Sequence, residues 1–319
     1  MEMHRIEGSD LNVSTFCYGT MQFGREMTQP ARDELFAIFR DAGGNFFDTA
    51  HCYCCWLPCN DGAAERILGD YVRRNNCRDE VVIATKGAHP TMPNYRKVDA
   101  YMSAGRIAAD LDDSLSRLQT DTIDLYWLHR DDPRIPVGEI IDILNAEVQR
   151  GRIRCFGGSN WTSRRLAEAN AYATEHGVAG FVASQPRWSL GCDDEEPAGE
   201  KRFEAGVLLA LSLADAAWHT VSGLPVMPYA PTANGFFGTG GQKPEKLRTE
   251  ANLARLARSQ ELATELNATP NQVALAWLLH QPFPVLPILG TANTTHLRDA
   301  LGADAVELTS DQVRWLREG

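Results

Sequence analysis

The stretch Gly44-Asn45-Phe46-Phe47-Asp48-Thr49-Ala50, followed after His51-Cys52 by Tyr53, decides the reading of the fold. Residues 45–48 form a short candidate strand that ends on a carboxylate. A helical pattern precedes it at 32–42 and another follows at 63–74. Strands alternating with helices point to βαβ units and a parallel sheet.

The same alternation continues in both directions. Strands are predicted near residues 15–18, 45–48, 81–85, 123–128, 153–157, 181–184, 225–229 and 285–288. Helices are predicted at 32–42, 63–74, 103–118, 137–150, 163–176, 203–218, 252–266, 271–279 and 294–301. Thr269-Pro270-Asn271-Gln272 pairs an N-cap with an N1 proline, and Gly151 stands where a left-handed C-cap belongs. Eight strand–helix units in 319 residues predict a single α/β domain over 1–319, a (β/α)8 TIM barrel. Gly8-Ser9-Asp10 turns a short N-terminal hairpin cap. Two long loops, 51–62 and 190–200, follow strands, so they belong to the C-terminal face, where barrels carry their chemistry.

Apolar residues make up 44 % of the chain and the net charge is −11, which speaks against a nucleic-acid partner. No apolar run is long enough for a membrane span, and the first residues lack a signal-peptide core. A cytoplasmic location with reduced thiols is therefore expected for the eight cysteines. The cluster Cys52, Cys54, Cys55 and Cys59 lies in one segment, without the paired spacing of a zinc site, so no metal is expected. It reads as a reduced loop lining a pocket, or as an oxidation-sensitive one through Cys54 or Cys55.

Asp48, Lys86 and His129 fall at or just after strand ends, with Tyr53 in the loop beyond the first. Each alone has an ordinary reading: a helix cap, a surface lysine, a satisfied core histidine, a loop anchor. Together, at one end of a barrel, they make a general acid. A phenol has a pKa near ~10, a neighbouring ammonium lowers it, a carboxylate holds the ammonium, and an imidazole orients a carbonyl oxygen.

These segments resemble the aldo-keto reductase family. Gly44–Ala50 with Tyr53 is similar to its Asp/Tyr signature, Ala84-Thr85-Lys86-Gly87 to its lysine strand, and Asp124-Leu125-Tyr126-Trp127-Leu128-His129-Arg130 to its histidine strand. Gly158-Ser159-Asn160-Trp161 resembles its nicotinamide-amide motif, and the matches run in order from Gly19 to about Leu301. The resemblance implies hydride transfer between a nicotinamide cofactor and a carbonyl, from an aldehyde, ketone or keto-sugar, with Asp48, Tyr53, Lys86 and His129 as the catalytic residues. It places cofactor contacts at Gly19, Thr20, Met21, Ser159, Asn160, Gln185, Tyr229, Ala230, Pro231, Gly235, Gly290, Thr291, His296 and Asp299. Tyr229 would stack on the nicotinamide, and Gly290-Thr291 would meet the pyrophosphate and ribose. Trp56, Trp161 and Trp188 are candidate walls of the substrate pocket.

Where the family's NADP-preferring members place a cation or amide, this chain has His296, and Ala300 replaces the usual Asn. The cofactor is expected to be NADP(H) or NAD(H), with NADP slightly ahead if Lys243 or Arg248 compensates. The rival reading is a cofactor-binding regulatory subunit with little turnover, similar to channel β-subunits. The acidic run Asp193-Asp194-Glu195-Glu196 reads as a solvated loop. The oligomeric state is left open.

Overall fold

The computed structural model describes residues 1–25, 27–57, 62–91, 100–191, 206 and 208–319. The chain opens with an antiparallel hairpin, β1 (Met3–Arg5) and β2 (Asn12–Ser14), turned through Gly8 at φ +76°. Then come β3 (Cys17–Gly19), α1 (Gln29–Asp41), β4 (Phe46–Asp48), α2 (Ala63–Arg74), β5 (Val82–Gly87), α3 (Ala104–Leu118), β6 (Ile123–Leu128) and α4 (Val137–Gln149). They are followed by β7 (Ile153–Ser159), α5 (Ser163–His176), β8 (Ser184–Gln185), α6 (Leu213–Ser222), α7 (Glu250–Glu265), α8 (Pro270–Leu279), β9 (Ile288–Leu289), α9 (Thr294–Leu301) and α10 (Ser310–Glu318). The strands from β3 on run parallel in the order β8-β7-β6-β5-β4-β3-β9.

The ring closes through residues 225–229, which do not form the full strand expected there. Instead Val226 bridges Ser184 on one side and Val285 on the other. The cause is proline: Pro225, Pro228, Pro284 and Pro287 lack the N–H that a continuous ladder needs. Their carbonyls still accept, from Ser184, Ile288, Val226 and Cys17 at 2.9–3.0 Å, while Met227 donates back to Ser184 and Leu286 to Val226, so the seam is held where proline does not interrupt it. The result is the expected (β/α)8 barrel with its hairpin cap.

Side-chain alternation divides the core. Cys17, Phe46, Val82, Ala84, Leu125 and Trp127 point inward, in one cluster with Ile6, Leu11 and Val13 of the hairpin, which plugs the barrel's N-terminal end. Tyr18, Phe47, Ile83 and Tyr126 point outward, under the helices. Gly157 on β7 makes room for Trp127: a Cβ there would stand 2.3 Å from the indole Cζ3.

Helix ends follow local chemistry. Ser103, Thr162, Thr249 and Thr269 cap α3, α5, α7 and α8, the last in a reciprocal capping box with Gln272. Two expectations change. The helix foreseen at 203–218 is found at Leu213–Ser222, where a Ser212–Asp215 capping box starts it and Gly223 ends it; residues 203–205 and 207 lie outside the described residues. Helix α10 was not foreseen, although its Thr309–Gln312 capping box was present in the sequence. No helix among the described residues is long and apolar enough to cross a membrane.

Candidate active site

Inward alternation continues past the strand ends. Asp48 follows the parity of Phe46, Lys86 that of Val82 and Ala84, and His129 that of Leu125 and Trp127. Register then sets the depth: Asp48 lies beside Ala84, and Lys86 beside Trp127. All three are buried and line one cavity at the C-terminal face, together with Tyr53.

The Lys86 ammonium donates to Asp48 Oδ2 and to the Thr49 carbonyl (2.7 Å), and lies 4.8 Å from the centre of the Tyr53 ring. Burial works against this ammonium, but Asp48 and Tyr53 together hold it above the usual lysine range. Burial also pushes the Asp48 carboxyl up, opposed by Lys86 and by a 3.0 Å hydrogen bond from Gln185 Nε2. At Tyr53 burial outweighs the attraction of Lys86 and lifts the phenol to about 12. The His129 ring stands edge-on to Tyr53, with centres 6.2 Å apart. Burial, with the Arg130 charge, depresses its pKa well below the ordinary value, so the imidazole is neutral.

A side-chain network extends from this group. Ser159 Oγ donates to the Gln185 carbonyl (3.0 Å), and Asn160 Nδ2 to Ser159 Oγ (3.0 Å) and the His129 carbonyl (3.2 Å). The Tyr229 hydroxyl donates to Asn160 Oδ1 at 2.8 Å. Asn160 holds this position at φ +61°, a left-handed conformation that asparagine tolerates better than most residues.

The cavity has a volume of about 1410 Å³ and extends from the tetrad to the start of α9. Gly19, Met21, Ala230, Pro231, Gly235, Gly290, Thr291, His296, Asp299 and Trp56 all line it. At Gly235 and Gly290 a Cβ would meet nothing within 4 Å, so backbone faces open space. Asp299 is tied to the first turn of α8 by Thr269 Oγ1 and Asn271 Nδ2, each at 2.8 Å.

Four expectations change. Thr20 does not line the cavity; it is fully buried and its hydroxyl donates to the Asp48 carbonyl (3.3 Å). Trp161 is buried against Phe181 with its ring centre 4.8 Å away, and the Arg165 guanidinium lies over it. The turn at Asn160 carries its side chain into the outer layer. Trp188 packs on Trp277 and Phe283, at 5.1 and 5.6 Å, away from the cavity. Of the two cations weighed for the cofactor, Lys243 lines the cavity, whereas Arg248 donates to the Gly241 carbonyl at 3.1 Å.

Cys52, His89, Arg130 and Arg187 also line the cavity, and no site role is expected from sequence for the last three. Cys52, His89 and His129 bring one ligand atom each within 4.8 Å of one another. Burial holds the Cys52 thiol at about 12, and no carboxylate joins this cluster among the described residues. Cys54 and Cys55 are buried and in no disulfide; Cys59 and the acidic run 193–196 lie outside the described residues.

The chain matches the Aldo/keto reductase family over residues 15–318. It is 33 % identical to the uncharacterized oxidoreductase YrpG of Bacillus subtilis, covering all of this chain and 95 % of that protein. It is 27 % identical to the aldo-keto reductase yakc [NADP(+)] of Schizosaccharomyces pombe, over 95 % and 86 % of the two chains. Its fold is shared with the thermostable aldo-keto reductase Tm1743, solved with the inhibitor epalrestat, at a TM-score of 0.76 and 22 % identity over 99 % of each chain. The chain belongs to the aldo/keto reductase family and is an oxidoreductase of that family.

Proposed function

We propose that this protein interconverts a carbonyl compound and an alcohol with a nicotinamide dinucleotide. The observation that carries the reading is the joined network: Lys86 binds Asp48, Gln185 binds the same carboxylate, and Ser159, Asn160 and Tyr229 continue from it along the cavity.

The residues fit a dinucleotide. The cavity exceeds the usual range of about 300–1,000 Å³ for a small-ligand pocket. Ser159, Asn160 and Gln185 offer amide and hydroxyl groups for a carboxamide, and Tyr229 offers a ring face. Bare backbone at Gly290 leads into the N-terminus of α9, where peptide dipoles favour phosphate. Lys243 lines the same cavity and supplies the cation that His296 does not, which favours NADP(H) over NAD(H). When bound, the cofactor supplies or accepts the hydride.

Tyr53 then supplies the proton to the carbonyl oxygen. It is fully protonated at neutral pH, as an acid for reduction must be. Lys86 stabilises the phenolate left behind, Asp48 keeps that ammonium in place, and neutral His129 orients the oxygen as a hydrogen-bond partner.

The test is a fluorescence titration with NADPH and NADH, followed by a panel of aldehydes, ketones and sugars. Turnover with either cofactor is the expected result. Tight binding without turnover would favour the regulatory reading, and no binding would remove the cofactor assignment.

A further inference from the structure

Arg130 follows His129 beyond the end of β6 and lines the cavity with only 9 % of its surface exposed. Its hydrogen bond among the described residues runs from Nη1 to the His129 carbonyl at 2.6 Å. A guanidinium carries five donors and stays charged, and buried charges are normally paired. The carboxylates next in sequence are committed elsewhere. Asp131 takes the Arg165 guanidinium at 3.0 and 3.1 Å, and Asp132 takes Arg134 at 2.6 Å. The acidic groups whose fields act most strongly on Arg130 are Tyr229, Cys52, Tyr53 and Tyr101, and burial keeps each of them protonated at neutral pH. Asp48, on the same wall, is held by Lys86 and Gln185.

His89 adds a second donor to this end of the cavity. Burial and the Arg130 charge lower its pKa to about 3, so the ring is neutral. The Thr91 backbone N–H donates to its Nδ1 at 3.3 Å, which leaves the ring proton on Nε2.

We infer that Arg130, with His89, forms a seat for the anionic group of the substrate, and that the favoured carbonyl substrates carry a carboxylate. A guanidinium with no carboxylate partner among the described residues balances one negative charge, and its planar fork matches a carboxylate's two oxygens. The inference rests on the carbonyl-reductase reading of this cavity.

The test is calorimetric binding of benzoate and of neutral benzamide to the protein saturated with NADP+. Benzoate is expected to bind at least about tenfold more tightly than benzamide, and Arg130→Met to abolish that preference. Equal affinities in the unmodified protein, or a preference that survives in R130M, would overturn the inference. If R130M does not fold, Arg130→Lys keeps the charge and loses the fork. It is expected to weaken benzoate at least about threefold, and an unchanged affinity overturns the assignment. Turnover of benzaldehyde and 4-carboxybenzaldehyde is measured alongside. Failure of these and of the whole aldehyde, ketone and sugar panel with either cofactor removes the reductase reading, whereas turnover of benzaldehyde without a benzoate preference removes only the carboxylate seat.

Discussion

Burial and Lys86 pull the Tyr53 phenol in opposite directions, and burial prevails, leaving it at about 12. Replacing Tyr53 by Phe is expected to lower kcat at least about 100-fold, within the range general acids contribute, while the NADPH titration keeps its midpoint. Unchanged turnover would take Tyr53 out of the mechanism. His89 carries the opposite sign of linkage. Its folded pKa, about 3, lies below the unfolded value near ~6.5, so the unfolded chain binds the extra proton. The stability from keeping it neutral is present above about pH 6.5 and is lost as pH falls toward 3, by at most about 1.4 kcal/mol per pH unit. Chemical denaturation between pH 7 and 4 should therefore show a shallower decline in His89→Gln than in the parent. Asp48, Lys86 and His129 were legible in sequence because a period of two and a strand end fix where they point. Arg130 and His89 were not. A cation beside a histidine says nothing about its counter-charge until Asp131 and Asp132 are seen to be taken by Arg165 and Arg134.

Among the elements, the strands with apolar alternation were read correctly, and the seam at 225–229 and 285–288 was not. Its apolar residues pattern as strand while its prolines forbid a full ladder, and the compromise of single bridges depends on the neighbours on both sides. Trp161 and Trp188 failed as pocket walls for a related reason. Their direction is set by the left-handed turn at Asn160 and by packing onto Trp277, neither of which is written in local pattern. On β7, Gly157 is fixed by its neighbour on β6. Gly157→Ala would put a methyl 2.3 Å from Trp127 Cζ3 and 2.8 Å from the Ala183 carbonyl oxygen. A loss of about 1–3 kcal/mol, read from the urea midpoint, is expected from such overpacking. Because Trp127 lies beside Lys86 in the sheet, the same variant should also lose activity.

For the molecule as a whole, the charge distribution runs against the composition. The chain carries −11 overall, yet Lys86, Arg130, Arg187 and Lys243 line the cavity against the carboxylates Asp48 and Asp299. Such a concave patch draws anions in from an acidic surface. Lys243→Gln is expected to raise the KM for NADPH by about tenfold and that for NADH by much less, consistent with one lost charge-assisted phosphate contact. Equal changes for both cofactors would remove Lys243 from the 2′-phosphate. The hairpin plug has a consequence for traffic. With Ile6, Leu11 and Val13 filling the N-terminal end of the barrel, the cavity is approached from the C-terminal face, and on the proposed reading cofactor and substrate meet at its floor. Whichever lies deeper has to arrive first and depart last, so the pace of the whole cycle can be governed by the queue at the exit as much as by the chemistry at the floor.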